Sequence, residues 1–213
     1  MKMEITFFMA EKTGWSNGEA TNFVGKGLHC AWAMPNCPGG ATFYVSFSDA
    51  SRKGDTHQWL DCSAEHFDNP GQRNYQVFYD HGEGLGILLI RNLVSKGGQF
   101  SVGSSSTAPV TIQGGRLEDN SLEIFGSHAR VDGLRISGNG AVDHWGSDSV
   151  FENLVVDVDP KNGGPTGYGA AFLLRDKAAN NTIRFCTFTR ALKAAGRRRG
   201  RRSSPASCRK PKA

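Results

Sequence analysis

Apolar and polar residues alternate in a short pattern that recurs along the middle of the chain. Each copy has an apolar residue, any residue, an Asn or Gly, and then alternating apolar positions; the copies are residues 90–95, 112–117, 131–136, 151–156 and 183–188. The last copy carries Phe185 where Asn or Gly stands in the others. Alternation with a period of two predicts β-strands, and Asn and Gly enter left-handed backbone conformations at least cost. Each copy therefore predicts two strands joined by a turn at its third position.

A second short pattern, an apolar residue followed by Gly-Ser, ends strand-like stretches between copies of the first. It occurs at residues 102–104, 125–127 and 145–147. Two turns and three strands thus fit into most repeats of about 20 residues, a period typical of solenoids. Leucine-rich repeats have a similar period, but their characteristic leucine and asparagine spacing is absent from the sequence. We therefore predict an all-β fold, a right-handed parallel β-helix with about five legible coils.

Three regions differ in how clearly this pattern is visible. Residues 75–192 hold the coils. Residues 1–74 are expected to form an N-terminal cap and possible first coils. Residues 193–213 contain nine Lys or Arg and no acid, which predicts a disordered basic tail. The rest of the chain then has 16 basic against 20 acidic residues. The net charge of +5 therefore gives no argument for nucleic-acid binding by the folded part.

The tail is the one segment that suggests a nucleic-acid partner, either as an RNA-binding or as a nuclear-localisation arm. The competing interpretation is a translated stretch unrelated to the domain. No segment approaches the roughly 18 apolar residues of a membrane-spanning helix, so we expect no membrane partner. The last coil leaves Ile183, Cys186 and Phe188 without a further coil above them. We therefore expect a truncated domain that self-associates through this uncapped coil.

The five cysteines show neither a CxxC pair nor a zinc-type grouping with histidine. Cys30, Cys37 and Cys62 are compatible with one disulfide in an oxidising compartment and equally with buried thiols. The N-terminal segment has an apolar run too short for a secretory signal peptide. The sequence therefore shows no export signal and leaves the disulfide status open.

Three stretches, residues 110–115, 121–138 and 169–190, resemble right-handed β-helices of the pectin-lyase-like superfamily. Within this superfamily the sequence resembles alginate lyases and chondroitinase B most. The resemblance implies a polysaccharide ligand, a lyase reaction on uronate-containing glycans and an extracellular location. The same repeat pattern also occurs in tailspike-like and adhesin-like scaffolds without catalytic activity, so the resemblance specifies the fold better than the activity.

A uronate lyase needs a base that removes the proton next to the carboxylate and a positive charge that stabilises the resulting anion. The chain has a long excursion, residues 159–169, between two strands, and loops on a rigid scaffold commonly carry function. Basic side chains near this loop are the candidate catalytic residues; they are Arg175, Lys177 and His144.

Acidic and aromatic side chains around the same loop are candidates for ligand and metal binding. The candidate substrate-binding residues are Asp157, Asp159 and Tyr168. Asp143 and Asp148 are candidate ligands of Ca²⁺, the one cofactor that the sequence suggests. The competing interpretation makes Asp157 and Asp159 solvated residues of a surface strand, and His144 and Trp145 half-buried turn residues.

These observations predict a polysaccharide-acting β-helix that is lyase-like but truncated. The alternative is a noncatalytic glycan-binding or structural β-helix of the adhesin or tailspike type. The sequence leaves open which glycan is bound and whether the chain is an enzyme.

Overall fold

The computed structural model describes residues 24–32, 41–45, 56–66, 76–80, 87–97, 99–103, 109–158, 170–175 and 178–189. Within these ranges every regular element is a β-strand, and the paired strands run parallel. No helix long and apolar enough to cross a bilayer is found in this part of the chain. The fold is therefore all-β and parallel, as the alternating pattern predicts.

The strands form three sheets of seven, seven and six strands. In spatial order, sheet A contains β1 (Val24–Lys26), β4 (Thr56–Leu60), β7 (Ile87–Arg91), β10 (Val110–Gln113), β13 (Arg130–Asp132), β16 (Val150–Glu152) and β19 (Thr182–Arg184). Sheet B contains β2 (His29–Trp32), β5 (Ser63–His66), β8 (Val94–Lys96), β11 (Arg116–Glu118), β14 (Arg135–Gly138), β17 (Val155–Val158) and β20 (Thr187–Thr189). Sheet C contains β3 (Ala41–Val45), β6 (Gln76–Asp80), β9 (Gln99–Val102), β12 (Ser121–Ile124), β15 (Val142–His144) and β18 (Phe172–Leu174).

The chain visits the sheets in a fixed cycle, because consecutive strands lie in sheets A, B and C in turn. Each strand pairs with the strand one cycle later; β10 pairs with β13, for example, and β11 with β14. We call one such cycle a rung. Stacked parallel rungs are compatible with a β-solenoid, in which each repeat contacts only its neighbours.

The turn predicted at the third position of each repeat is confirmed. All five residues at this position have a positive φ; they are Asn92 (51°), Gly114 (64°), Gly133 (70°), Asn153 (54°) and Phe185 (55°). Each joins a strand of sheet A to a strand of sheet B. The asparagines add hydrogen bonds between rungs, since Asn92 Nδ2 donates to Asp61 Oδ1 at 3.0 Å and Asn153 Nδ2 donates to Asp132 Oδ1 at 2.7 Å.

The other two corners also use left-handed residues. Between sheets B and C these residues are Gly97, Asp119 and Gly138. Between sheets C and A they are Gly103, His128, Asp148 and Asn180, of which only Gly103 is the glycine of an apolar-Gly-Ser copy. Short polar side chains such as Asp tolerate this conformation. Asp119 also bonds to the next rung, since its Oδ1 accepts a hydrogen bond from the Asn139 backbone amide at 2.9 Å.

The core is made by the inward residues of all three sheets. Aligned rows run from rung to rung, such as Ile90, Ile112, Val131 and Phe151 in sheet A, and all four residues are at least 98% buried. Aromatic rings continue the core toward the last rung: Phe151 and Phe172 meet edge to face with centroids 5.0 Å apart. Removal of these apolar side chains from water supplies the main stabilising force.

The region expected to hold the N-terminal cap also contributes strands to the sheets. β1 to β5 lie in residues 24–66, and β1 pairs in parallel with β4 as β2 does with β5. Residues 1–23 and the predicted basic tail at 193–213 lie outside the described residues. The three sheets therefore begin earlier in the chain than residue 75, where the repeat pattern of the sequence begins.

Cys62 is a buried free thiol, and burial raises its pKa above the usual value. It lies directly after the left-handed Asp61, where it faces the core. The interpretation as a buried thiol is therefore confirmed for Cys62. Cys37 and the side chain of Cys30 lie outside the described residues.

The last rung exposes several apolar side chains. Ile183 and Leu174 are each 41% exposed and Phe185 is 78% exposed. β18, β19 and β20 are also the final strands of their sheets in the described part of the chain. Self-association through this rung stays a prediction.

Candidate functional site

The outer face of sheet C carries a row of three large side chains at the ends of consecutive strands. Phe125 follows β12, Trp145 follows β15 and Arg175 follows β18. The strand ladder continues through these residues, because the amide of each donates to a carbonyl of the rung before: Phe125 to Val102 at 3.1 Å, Trp145 to Ile124 at 2.9 Å and Arg175 to His144 at 2.9 Å. The three side chains are therefore placed one above the other by the backbone.

Phe125 and Trp145 form a stacked pair that we call the aromatic platform. Their ring centroids lie 5.7 Å apart with an angle of 23° between the ring planes. The guanidinium carbon of Arg175 lies 4.6 Å from the Trp145 ring centroid, within the range of a cation–π contact. Trp145 nevertheless stays 41% exposed, so the platform offers an aromatic surface to a ligand.

Arg175 also binds the carboxylate of Asp143 through two nitrogens. Its Nε donates to Asp143 Oδ1 at 2.7 Å, and its Nη2 donates to Asp143 Oδ2. The Asp143 side chain is only 7% exposed, and Arg175 is its counter-ion; a buried carboxylate without one is costly. The pair therefore has a structural role in addition to any role with a ligand.

A second carboxylate lies on the same face one rung earlier. Glu123 is in register with Asp143 in the neighbouring strand, and Ser101 Oγ donates to Glu123 Oε2 at 3.1 Å from the rung before that. Ser101 is fully buried and Glu123 half-buried. The accessible part of this face is therefore the aromatic platform, with the polar row beside it.

His144 points in the opposite direction from its neighbours Asp143 and Trp145. Its ring is fully buried and meets the Phe151 ring edge to face, with centroids 5.0 Å apart. Burial lowers the pKa of His144 below the usual value, because the charged imidazolium is poorly solvated in the core. In this conformation the ring does not reach the outer face, so a catalytic role for His144 stays a prediction that requires the ring to become accessible.

The buried histidine predicts a loss of stability in mild acid. Above about pH 6.5, the usual histidine pKa, the folded and unfolded chains both hold His144 neutral. Below that pH the unfolded chain binds a proton that the folded chain does not, so the free energy of unfolding falls by up to about 1.4 kcal/mol per pH unit from this residue. The measurement is urea denaturation between pH 7.5 and about 5.

Two variants isolate this effect from other titrations. His144→Leu continues an aliphatic row, since His144 is in register with Ile124 and Leu174, and is expected to flatten the pH dependence. His128→Asn changes an exposed histidine and is expected to preserve it. A His144→Leu profile as steep as that of the unmodified chain would show that His144 does not cause the acid sensitivity.

Of the other predicted site residues, Asp157 and Asp148 lie away from this face. Asp157 lies on β17 of sheet B, where its Oδ1 accepts a hydrogen bond from Thr189 Oγ1 at 2.6 Å. Asp148 is an exposed turn residue with φ of 56°. Lys177, Asp159 and Tyr168 lie outside the described residues.

The structure brings together Asp143 and Arg175 from the predicted set, and it separates Asp143 from the second Ca²⁺ candidate, Asp148. Asp143 lies on a strand and Asp148 at the corner that follows it. Among the described residues no group of three or more histidine, cysteine or acidic side chains is arranged to hold a metal ion. The Ca²⁺ site stays a prediction.

Sequence reasoning missed Phe125 and Glu123. A signal for Phe125 was present, because it and Trp145 occupy the same position in two copies of the apolar-Gly-Ser pattern. Equivalent positions in consecutive coils stack on each other, so two aromatics there predict a platform. Glu123 could be found in the same way from its offset of two residues before Phe125.

Aromatic, cationic and hydroxyl-binding groups together suit a ligand with both apolar and polar surfaces. The exposed part of the Trp145 ring can contact the apolar C–H groups of a sugar ring. The Asp143 and Glu123 carboxylates accept hydrogen bonds and the Arg175 guanidinium donates them. Comparison with protein-family models, with curated proteins and with solved structures finds no match to this chain.

Proposed function

We propose that this chain is a right-handed parallel β-helix of the pectin-lyase-like type and that it binds an extended polysaccharide on the outer face of sheet C. The observation that carries the proposal is the aromatic platform of Phe125 and Trp145 capped by Arg175. A partly exposed tryptophan held between Phe125 and Arg175 has little conformational freedom to lose when a ligand binds. Such a rigid anchor favours binding.

The direction of the ligand follows from the arrangement of the rungs. Phe125, Trp145 and Arg175 succeed each other along the stack at about 4.8 Å per rung, the usual spacing of hydrogen-bonded strands. A polysaccharide lying across the rungs therefore meets the platform with one sugar and the Asp143–Arg175 pair with a neighbouring one. An extended linear glycan suits this row better than a compact ligand.

A lyase reaction on uronates at the same face is the second candidate. Arg175 favours it, because a guanidinium beside the platform would stabilise the anion that forms when a base removes the proton next to a uronate carboxylate. Asp143 already compensates most of this charge. Among the described residues the geometry therefore supports binding more directly than catalysis.

The test is binding of alginate, polygalacturonate and chondroitin, measured as retardation in affinity gel electrophoresis. Trp145→Ala is expected to reduce affinity about tenfold, since an aromatic contact contributes roughly 0.5 to 1.5 kcal/mol beyond the apolar area that it buries. Phe185→Ala is the matched control, because Phe185 is also exposed but lies at a corner between sheets A and B. The control is expected to bind as the unmodified chain does.

Equal affinities of the Trp145→Ala and unmodified chains for every glycan would refute the proposed site. The same incubations report on the second candidate, because a lyase leaves an unsaturated uronate that absorbs in the ultraviolet. Product formation that Arg175→Lys abolishes would establish the lyase function in place of simple binding.

A further inference from the structure

Two exposed arginines lie side by side on the outer face of sheet B. Arg116 on β11 and Arg135 on β14 are direct register partners on neighbouring strands, about 4.8 Å apart along the stack. Both side chains are exposed. Like charges directly opposite each other on a sheet destabilise it, so this pair has a cost that nothing in its own row offsets.

The positions directly before and after the two arginines in their row hold no acidic residue. Arg116 is preceded by Val94, and Arg135 is followed by Val155. Neither arginine forms an ion pair with any of the residues that the structure describes. The pair is therefore a localised positive charge on a chain whose part before residue 193 has more acidic than basic residues.

The acids in the adjacent row of the same face are engaged elsewhere. Glu118 lies 3.7 Å from Lys96 Nζ, which also contacts Glu65 at 3.6 Å. Asp157 accepts its hydrogen bond from Thr189. Between these two acids, in register with both, stands the neutral Ser137. The side chain beside the arginine pair is thus a hydroxyl that can donate to the same ligand.

We infer that Arg116 and Arg135 form an oxyanion-binding site that takes the carboxylate or sulfate groups of an acidic polysaccharide. Two guanidinium groups present planar forks that match such oxyanions, and charge-assisted hydrogen bonds are about twice as strong as neutral ones. Ser137 adds a neutral donor. The inference rests on the proposed function and deepens it, since it specifies an anionic glycan and a second face that contacts it.

The experiment compares the full chain with Arg116→Gln/Arg135→Gln and with Arg91→Gln/Arg130→Gln. The control pair is also exposed and removes the same charge, but its members lie on sheet A with a strand between them. The probes are polygalacturonate for carboxylate, dextran sulfate for sulfate and a single-stranded polyribonucleotide for phosphate, each titrated at two salt concentrations. The basic tail is present in every variant, so its contribution cancels in the comparison.

The Arg116/Arg135 variant is expected to bind polygalacturonate and dextran sulfate about tenfold more weakly than the unmodified chain, and the control less than threefold more weakly. Equal weakening by both variants would show unspecific charge attraction and overturn the inference. A larger loss for the polyribonucleotide than for either glycan would assign the site to nucleic acid and overturn it as well.

Failure of the proposed function is recognisable separately. If Trp145→Ala leaves glycan binding unchanged while the Arg116/Arg135 variant weakens it, the sheet C site is refuted and the oxyanion site stands. If Trp145→Ala weakens binding and the two arginine variants behave alike, the sheet C site stands and the oxyanion site is refuted.

Discussion

Phe151→Ala is expected to lower the free energy of unfolding by about 3 to 5 kcal/mol, the usual cost of truncating a buried aromatic side chain. Phe151 is fully buried and contacts the rings of His144 and Phe172, each with centroids 5.0 Å away. The truncation removes both contacts and leaves a cavity that rigid neighbouring rungs fill poorly. Urea denaturation at neutral pH measures the change.

Phe185→Ala is the control for this experiment. Phe185 is 78% exposed, and alanine at its φ of 55° has a similar backbone cost, so we expect a change below about 0.5 kcal/mol. Similar losses for both variants would mean that Phe151 does not lie in the core between these rungs.

Gly146→Ala is expected to cost about 3 kcal/mol or to prevent folding, because overpacking against backbone cannot be relieved by a side-chain rotation. A Cβ atom at Gly146 would lie 2.0 Å from the Gly126 carbonyl oxygen and 2.7 Å from the Ser127 nitrogen. The two rungs would have to separate at the corner next to the aromatic platform. The free energy of unfolding and the affinity of the platform for a glycan should therefore fall together.

Gly133→Ala is the matched control for this variant. Gly133 has a φ of 70°, but a Cβ there meets only Gly114 atoms at 3.8 Å, an ordinary contact. Its cost is the left-handed conformation alone, about 1 to 2 kcal/mol. A Gly146→Ala variant as stable as Gly133→Ala would contradict the close approach of the rungs.

The corner between sheets A and B could be predicted because residue type and position repeat there. Asn92, Gly114, Gly133 and Asn153 share one place in the pattern, and both residue types favour a positive φ. The other corners mix glycine and asparagine with aspartate and histidine, as at Gly97 and Asp119 or at His128 and Asn180. No single residue type repeats there, so the pattern along the sequence does not mark these corners.

The candidate site was predicted only in part because its contacts join residues far apart in the sequence. Asp143 and Arg175 are 32 positions apart, since the excursion at 159–169 lengthens that rung. Neighbouring residues of a strand face opposite sides, yet Asp143 and His144 were both made site candidates because the sequence does not show which side faces the core. The strands β1 to β5 lack the repeat, so they are recognised only from their pairing with strands of the neighbouring rungs.

The central claim is that a polysaccharide lies on the aromatic platform of sheet C. The most direct measurement is fluorine NMR of the chain labelled with 5-fluorotryptophan, in which the four tryptophans give separate signals and Trp145→Phe identifies one of them. Titration with the glycan that binds most tightly is expected to shift the Trp145 signal and to leave that of Trp59, which is 3% exposed, in place. A Trp145 signal that does not move while the glycan is bound would contradict the account.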